Sequence, residues 1–216
     1  MTLCSLRSGA AASHNASLSM GETTVVFGGS FNPPHAAHVL AACLAKSYLM
    51  PSRIVVVPTF MHPFGKGLAP FEHRTRMCEL AMGWIPGVEI SRVEEELGGE
   101  SRTLRTLQHL AAESPGSTFR LLLGADIMLD AAKWFAFDEV EKLAPPFVIG
   151  RAGFSHPRAM VPVLPEISSS EIRSAFANGR TEALESWLPP NVLAYARDHA
   201  LYTEGSTPSS LATKES

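Results

Sequence analysis

Short apolar runs alternate along this chain with longer stretches whose apolar positions recur every three or four residues. Val25–Gly28, Val88–Ser91, Phe119–Leu123 and Phe147–Gly150 have the length and composition of strands. Arg53–Val57 is a β-branched run closed by Pro58, the pattern of a strand buried on both faces. Between them, the spacing predicts a helix over His35–Tyr48, with Val39, Leu40, Cys43 and Leu44 facing inward. It predicts another over Phe71–Gly83, with Met77, Leu80 and Ala81 on the buried side. Leu104–Ala112 reads as a helix capped by Ser101 or Thr103, and Ser168 or Ser169 opens one that runs through Ala177. Asn191–His199 forms the last. Strands alternating with helices predict a mostly parallel sheet covered on both faces. Ligands of such sheets sit beyond the carboxyl ends of the strands. The loops after the first strand, after the second (Pro58–Lys66) and at Gly124-Ala125-Asp126 should therefore open on one edge.

The ends break the pattern. Residues 1–19 are mostly Ser, Ala, Gly and single polar residues, with no apolar core of a signal peptide. They read as a disordered extension, residues 20–202 as one domain, and the Ser/Thr/Gly/Pro-rich stretch 203–216 as a disordered tail. No internal repeat and no second domain is visible.

Composition narrows the function classes. Of 216 residues, 45% are hydrophobic and 18% charged, as in a soluble globular protein. The net charge of −3 carries no footprint for nucleic acid. The 3 cysteines are odd in number and lack C-x-x-C spacing, which argues against a disulfide framework or a zinc site and for the reducing cytoplasm. No apolar run approaches the about 18 residues a membrane span needs.

The chemistry concentrates in Gly28-Gly29-Ser30-Phe31-Asn32-Pro33-Pro34-His35-Ala36-Ala37-His38. A strand runs into two glycines, which let backbone N–H groups approach a ligand and accept unusual φ/ψ. Two prolines then lead into a helix, a first-turn position where their missing N–H is no loss. Free N–H groups and the helix dipole form an anion site there. His35 and His38, three apart, share a face of the first turn. Together these describe a place for a polyphosphate.

This stretch resembles the GG-[ST]-F-[DN]-P-x-H-x-G-H signature of the nucleotidyltransferase superfamily named for its H-x-G-H motif. Ile167-Ser168-Ser169-Ser170-Glu171-Ile172-Arg173 resembles its second signature, I-S-S-T-x-I-R. Within the superfamily the chain is most similar to the bacterial nicotinate-nucleotide adenylyltransferases. Leu123-Gly124-Ala125-Asp126, Trp134 and Phe147-Val148-Ile149-Gly150-Arg151 follow that family's series of motifs, and Leu188–Val192 through Leu201-Tyr202 its C-terminal helix. The likeness covers about residues 23–202 in consistent order.

The resemblance implies a single Rossmann-like α/β domain that transfers AMP from ATP to nicotinate mononucleotide, releasing pyrophosphate and forming deamido-NAD. It implies catalytic roles for His35, His38 and Arg173, and an ATP site that adds Gly28, Gly29, Ser30, Phe31, Gly124, Asp126, Arg151, Ile167, Ser168 and Ser169. It implies an acceptor site at Lys66, Thr103 and Trp134. Mg²⁺ would be held mainly by ATP phosphates rather than by a protein metal site. ATP and nicotinate mononucleotide are the expected partners, with neither nucleic acid nor membrane; a homo-oligomer stays open. The attacking phosphate is already an anion, so catalysis reduces to positioning and charge stabilisation.

Several positions keep two readings. Asp126 is a helix N-cap or a ribose ligand, and Trp134 a core residue or a stacking partner of the pyridine ring. His62, His73 and His109 read as structural or surface residues. Departures from the family pattern gather at the acceptor end. Ala37 stands where glycine is usual and its methyl narrows the approach to phosphate. The P-P-H-K loop reads His62-Pro63-Phe64-Gly65-Lys66, and Ser101-Arg102-Thr103-Leu104-Arg105-Thr106-Leu107 carries two arginines in place of an aromatic and a polar residue. At three-residue spacing both Arg102 and Arg105 are expected near the pocket rim. A sibling transferase with another acceptor, such as phosphopantetheine or a different mononucleotide, and a nucleotide-binding regulator without turnover are the alternative functions.

Overall fold

The computed structural model describes residues 22–62, 67–159 and 163–203. Five strands form one sheet: β1 (Thr23–Gly29), β2 (Arg53–Pro58), β3 (Val88–Ile90), β4 (Thr118–Gly124) and β5 (Pro146–Ile149). Their order is β3-β2-β1-β4-β5 and every pairing is parallel. The five strands predicted from apolar runs are all present, each within two residues of its predicted ends. The direction of winding reverses between β1 and β4, which opens a crevice above their carboxyl ends.

Alternate side chains of β1, β2, β4 and β5 feed two cores. Val25, Phe27, Ile54 and Val56 pack under α1 (Ala36–Leu49) and α2 (Phe71–Met82), and α7 (Ser169–Ala177), α8 (Thr181–Trp187) and α9 (Pro190–Asp198) close the same layer. Val26, Val55, Val57, Leu121 and Leu123 pack on the other face against α3 (Val93–Leu97), α4 (Thr103–Glu113), α5 (Ala125–Leu129) and α6 (Phe137–Leu143). A short 3₁₀ turn spans Ala131–Lys133. Among the described residues no helix is long and apolar enough to cross a membrane.

Three expectations are corrected. The buried face of α1 is the alanine set 37, 41, 42 and 45, while Val39, Cys43 and Leu44 are half-buried and Leu40 is exposed. Small side chains let the helix lie close on the sheet, so volume rather than hydrophobicity selects the inward face. α4 is capped by neither Ser101 nor Thr103. Arg102 holds the N-cap position without a side-chain bond to the helix backbone, and Ser101 instead donates to Glu94 and accepts from the Phe60 N–H at 3.0 Å. α3, α5, α6 and α8 are additional helices of five to seven residues. They are too short to display a helical period.

Candidate active site

The crevice at the switch point is a cleft of about 780 Å³, within the range of small-molecule sites. Its floor is the end of β1. Gly28 is exposed there, and a Cβ built on it would meet nothing within 4 Å. Neither Gly28 nor Gly29 has positive φ; the left-handed residue of the turn is Phe31, at φ 45°. The glycines thus leave room over the floor rather than supplying unusual backbone. Gly29 is kept small locally, because a Cβ would come within 3.2 Å of the Phe31 ring.

The chain then passes a cis Asn32–Pro33 bond and enters α1 one residue later than expected. His35 is the N-cap and His38 the third helical residue, while both prolines precede the helix. The two imidazoles lie at a 35° tilt with centroids 3.8 Å apart, and the Phe31 ring supports His38 edge-on at 5.0 Å. The His35 backbone N–H donates to His38 Nδ1 at 3.1 Å. A peptide N–H can only donate, so the proton of a neutral His38 resides on Nε2. Burial, then the nearby Arg151 charge, lowers His35 to about 3. Burial, then His35 and Arg151, holds His38 well below its usual range. Both rings are neutral donor–acceptors at pH 7.

The second motif meets the first across the cleft. Ser168 caps α7 in a reciprocal box with Glu171, its hydroxyl accepting the Glu171 N–H at 3.2 Å. Ser169, one residue on, donates to the Pro33 carbonyl at 2.9 Å. Arg173 donates to the Asn32 carbonyl at 2.8 Å and to Ser170 at 3.2 Å. Among the described residues Arg173 pairs with no carboxylate, so its charge on the cleft is uncompensated.

Asp126 and Arg151 form the wall above β4 and β5, paired at 2.6 Å and both largely buried. Asp126 is not an N-cap, because Gly124 occupies that position and Asp126 stands in the first turn of α5. Among the described residues its Oδ1 and the Nε of Arg151 have no hydrogen-bond partner. Ile167 does not line the cleft. It is buried in the core and its carbonyl accepts from Arg151 at 2.7 Å, so it supports the site from behind.

At the far end, Thr103, Trp134, Phe135 and Arg102 line the cleft. Trp134 is half-buried, edge-on to Phe137 at 5.9 Å. Arg102 pairs with Glu100 at 2.6 Å and lies 5.7 Å above the Phe135 ring. Arg105 departs from expectation: it donates to the carbonyls of Leu97 and Gly98, both at 2.7 Å, and does not line the cleft. Arg102 is the N-cap of α4, with extended backbone at φ −132° and ψ 115°, so the helical spacing that would align it with Arg105 does not apply. Lys66 falls outside the described residues. His62 does line the cleft, contrary to its reading as a structural or surface residue. His73 meets Tyr195 and His109 pairs with Glu113, both away from it.

Sequence reasoning passed over two residues that shape the site. Arg74 is 1% exposed and clamps the carbonyls of Ser30 and Ala69 at 3.0 and 2.8 Å. Glu94 gathers Ser101, the Phe60 N–H at 3.0 Å and Thr106 at 3.3 Å. A charged residue within a helical pattern signals solvent until the fold buries it.

A parallel α/β sheet with a cleft at its switch point, lined by two glycines, two histidines, Arg151 and Arg173, is the architecture of a nucleotide-binding protein. Residues 26–175 match the family described as cytidylyltransferase-like. A protein of Anaeromyxobacter sp. (strain K) named "Probable nicotinate-nucleotide adenylyltransferase" is 45% identical over 189 residues, covering 86% of this chain and 99% of its own. One of the same name from Myxococcus xanthus is 38% identical over 187 residues, covering 85% and 96%. The fold matches Plasmodium falciparum nicotinic acid mononucleotide adenylyltransferase complexed with NaAD, with TM-score 0.74, 20% identity and coverage of 84% and 97%. The chain belongs to the cytidylyltransferase-like family and, within it, to the nicotinate-nucleotide adenylyltransferases.

Proposed function

We infer that the chain transfers AMP from ATP to nicotinate mononucleotide, releasing pyrophosphate and forming deamido-NAD. The observation that carries this reading is the bond from Arg173 to the Asn32 carbonyl, which joins two segments 141 residues apart into one anion-binding cleft. An oxygen of the acceptor's phosphate attacks the α-phosphorus of ATP. A new P–O bond forms there as the bond to the β-phosphate's bridging oxygen breaks, and the electron pair leaves with pyrophosphate. No general base is needed, since a phosphate monoester is an anion at neutral pH.

The residues contribute positioning and charge. The Nε2–H of neutral His38 and the ring of His35 serve as donors to the triphosphate, and the N-terminus of α1 adds its dipole. Arg173 directs a planar fork of donors at the departing oxygens. Gly28 gives the nucleotide access to the floor, with Ser30 and Ser169 beside it and Asp126–Arg151 as the wall toward the ribose. Thr103, Trp134 and Arg102 face the pyridine ring and its carboxylate. Mg²⁺ would be held mainly by the ATP phosphates and by water. The free thiols of Cys43 and Cys78 suit the reducing cytoplasm.

A panel assay tests the reading. Purified protein with ATP and Mg²⁺ is offered nicotinate mononucleotide, nicotinamide mononucleotide and phosphopantetheine, and pyrophosphate and product mass are followed. Nicotinate mononucleotide should give the highest kcat/KM. Turnover of phosphopantetheine alone would assign the sibling function, and no turnover at all the regulator.

A further inference from the structure

The loop from Ser30 to Pro33 connects the glycine floor to His35, and nearly every carbonyl in it is held by a donor from a different element. Arg74 of α2 takes Ser30, Arg173 of α7 takes Asn32 and Ser169 takes Pro33. The Asn32 side chain is 2% exposed and its Oδ1 accepts twice. One donor is the Ala69 N–H at 3.0 Å; the other is the hydroxyl of Tyr202 at 3.1 Å. Because a backbone N–H cannot accept, the first bond settles which end of the Asn32 amide is oxygen. Burial holds the Tyr202 phenol well above its usual range, so the second donor is always protonated.

Tyr202 lies just beyond α9, 170 residues from Asn32, with left-handed backbone at φ 66°. Its ring packs against Phe176 of α7 at 5.7 Å. It therefore touches both halves of the phosphate site: the helix that carries Arg173 and the residue whose carbonyl Arg173 grips. We propose that Tyr202 is a positioning residue for adenylyl transfer, fixing Asn32 and through its carbonyl the direction of the Arg173 guanidinium. Nothing in the reaction touches Tyr202 itself. Its hydroxyl removes one rotation from Asn32, and a fork of donors is effective only when it is aimed. The role rests on Arg173 acting at the triphosphate as set out above.

Tyr202→Phe removes the hydroxyl and keeps the ring against Phe176, so the variant should fold. Tyr195→Phe is the control: that hydroxyl bonds His73 at 2.9 Å on the α2–α9 surface and does not line the cleft. Steady-state kinetics with ATP and nicotinate mononucleotide, and Tm, are measured for both variants, for Arg173→Lys and for the Tyr202→Phe/Arg173→Lys double variant. Tyr202→Phe should lower kcat/KM for ATP roughly tenfold, the scale of one hydrogen bond's contribution to a barrier. KM for the acceptor should be unchanged. Tyr195→Phe should match the parent in kcat/KM even where its Tm falls by as much. The double variant should be little worse than Arg173→Lys, because the two residues act through one contact. Parental kinetics in Tyr202→Phe, or losses that multiply in the double variant, overturn the role of Tyr202 while leaving the ATP site intact. Parental kinetics in Arg173→Lys would instead remove the reading on which it rests.

Discussion

At the residue scale, the histidine pair makes a prediction about pH. An unfolded histidine titrates near 6.5, whereas His35 is lowered to about 3 and His38 lies well below its usual range. Between those values the unfolded chain binds protons that the folded chain does not. Stability contributed by the neutral pair is therefore complete above about pH 6.5 and is lost as pH falls toward 3. Denaturant midpoints at pH 7.5 and 5.0 should differ less for His35→Asn than for the parent chain. An equal drop in both would mean that His35 gains its proton as easily folded as unfolded.

Gly28 offers a second test at the same scale. Its position has no positive φ and open space where a Cβ would go, so a side chain costs the fold nothing. Gly28→Val should keep the parent Tm and raise KM for ATP by roughly tenfold or more, since the methyl groups occupy the nucleotide's approach. A fall in Tm with KM unchanged would make the glycine a feature of the strand alone.

At the element scale, α4 explains both what was legible and what was not. Its apolar positions predicted a helix over 104–112, and the helix is Thr103–Glu113. Its N-terminus departs from expectation because a serine or threonine beside a helix start signals a cap, and only the fold shows Ser101 turned to the half-buried Glu94. Spacing likewise put Arg102 and Arg105 together, whereas Arg105 is consumed by the carbonyls that end α3. Sequence motifs located His35, His38, Asp126 and Arg173 because these sit in contiguous stretches with one chemistry. Arg74 and Glu94 escaped, as did the contacts of Asn32 and Tyr202 within their motifs, because the partners are scattered in sequence and meet only once the layers close.

The same comparison separates the two arginines functionally. Arg102 remains free to exchange Glu100 for an anionic acceptor group, and its bond to a carboxylate would be charge-assisted. Arg102→Gln should narrow the preference for nicotinate over nicotinamide mononucleotide by roughly tenfold, the scale of a hydrogen bond to a charged group. Arg105→Gln should leave that preference alone and lower Tm, because it loosens the α3–α4 junction. The ratio of kcat/KM values for the two acceptors measures both effects, and an unchanged ratio in Arg102→Gln would make that guanidinium a surface group.

At the scale of the whole molecule, five parallel strands deliver three loops to one edge, and the reversal between β1 and β4 leaves them a shared crevice. Into it the fold brings two neutral histidines, an uncompensated arginine and an open glycine floor, contributed by both ends of the domain. The central claim is that this assembly, rather than any single motif, stabilises adenylyl transfer. The direct measurement is kcat for His38→Ala with ATP and nicotinate mononucleotide, alongside its Tm. The account predicts a fall of roughly 10²-fold or more, as when a preorganised transition-state donor is lost, in protein that stays folded at the assay temperature, although Tm falls because the ring also accepts the His35 N–H. Unchanged kcat, or loss of activity only through unfolding, would contradict it.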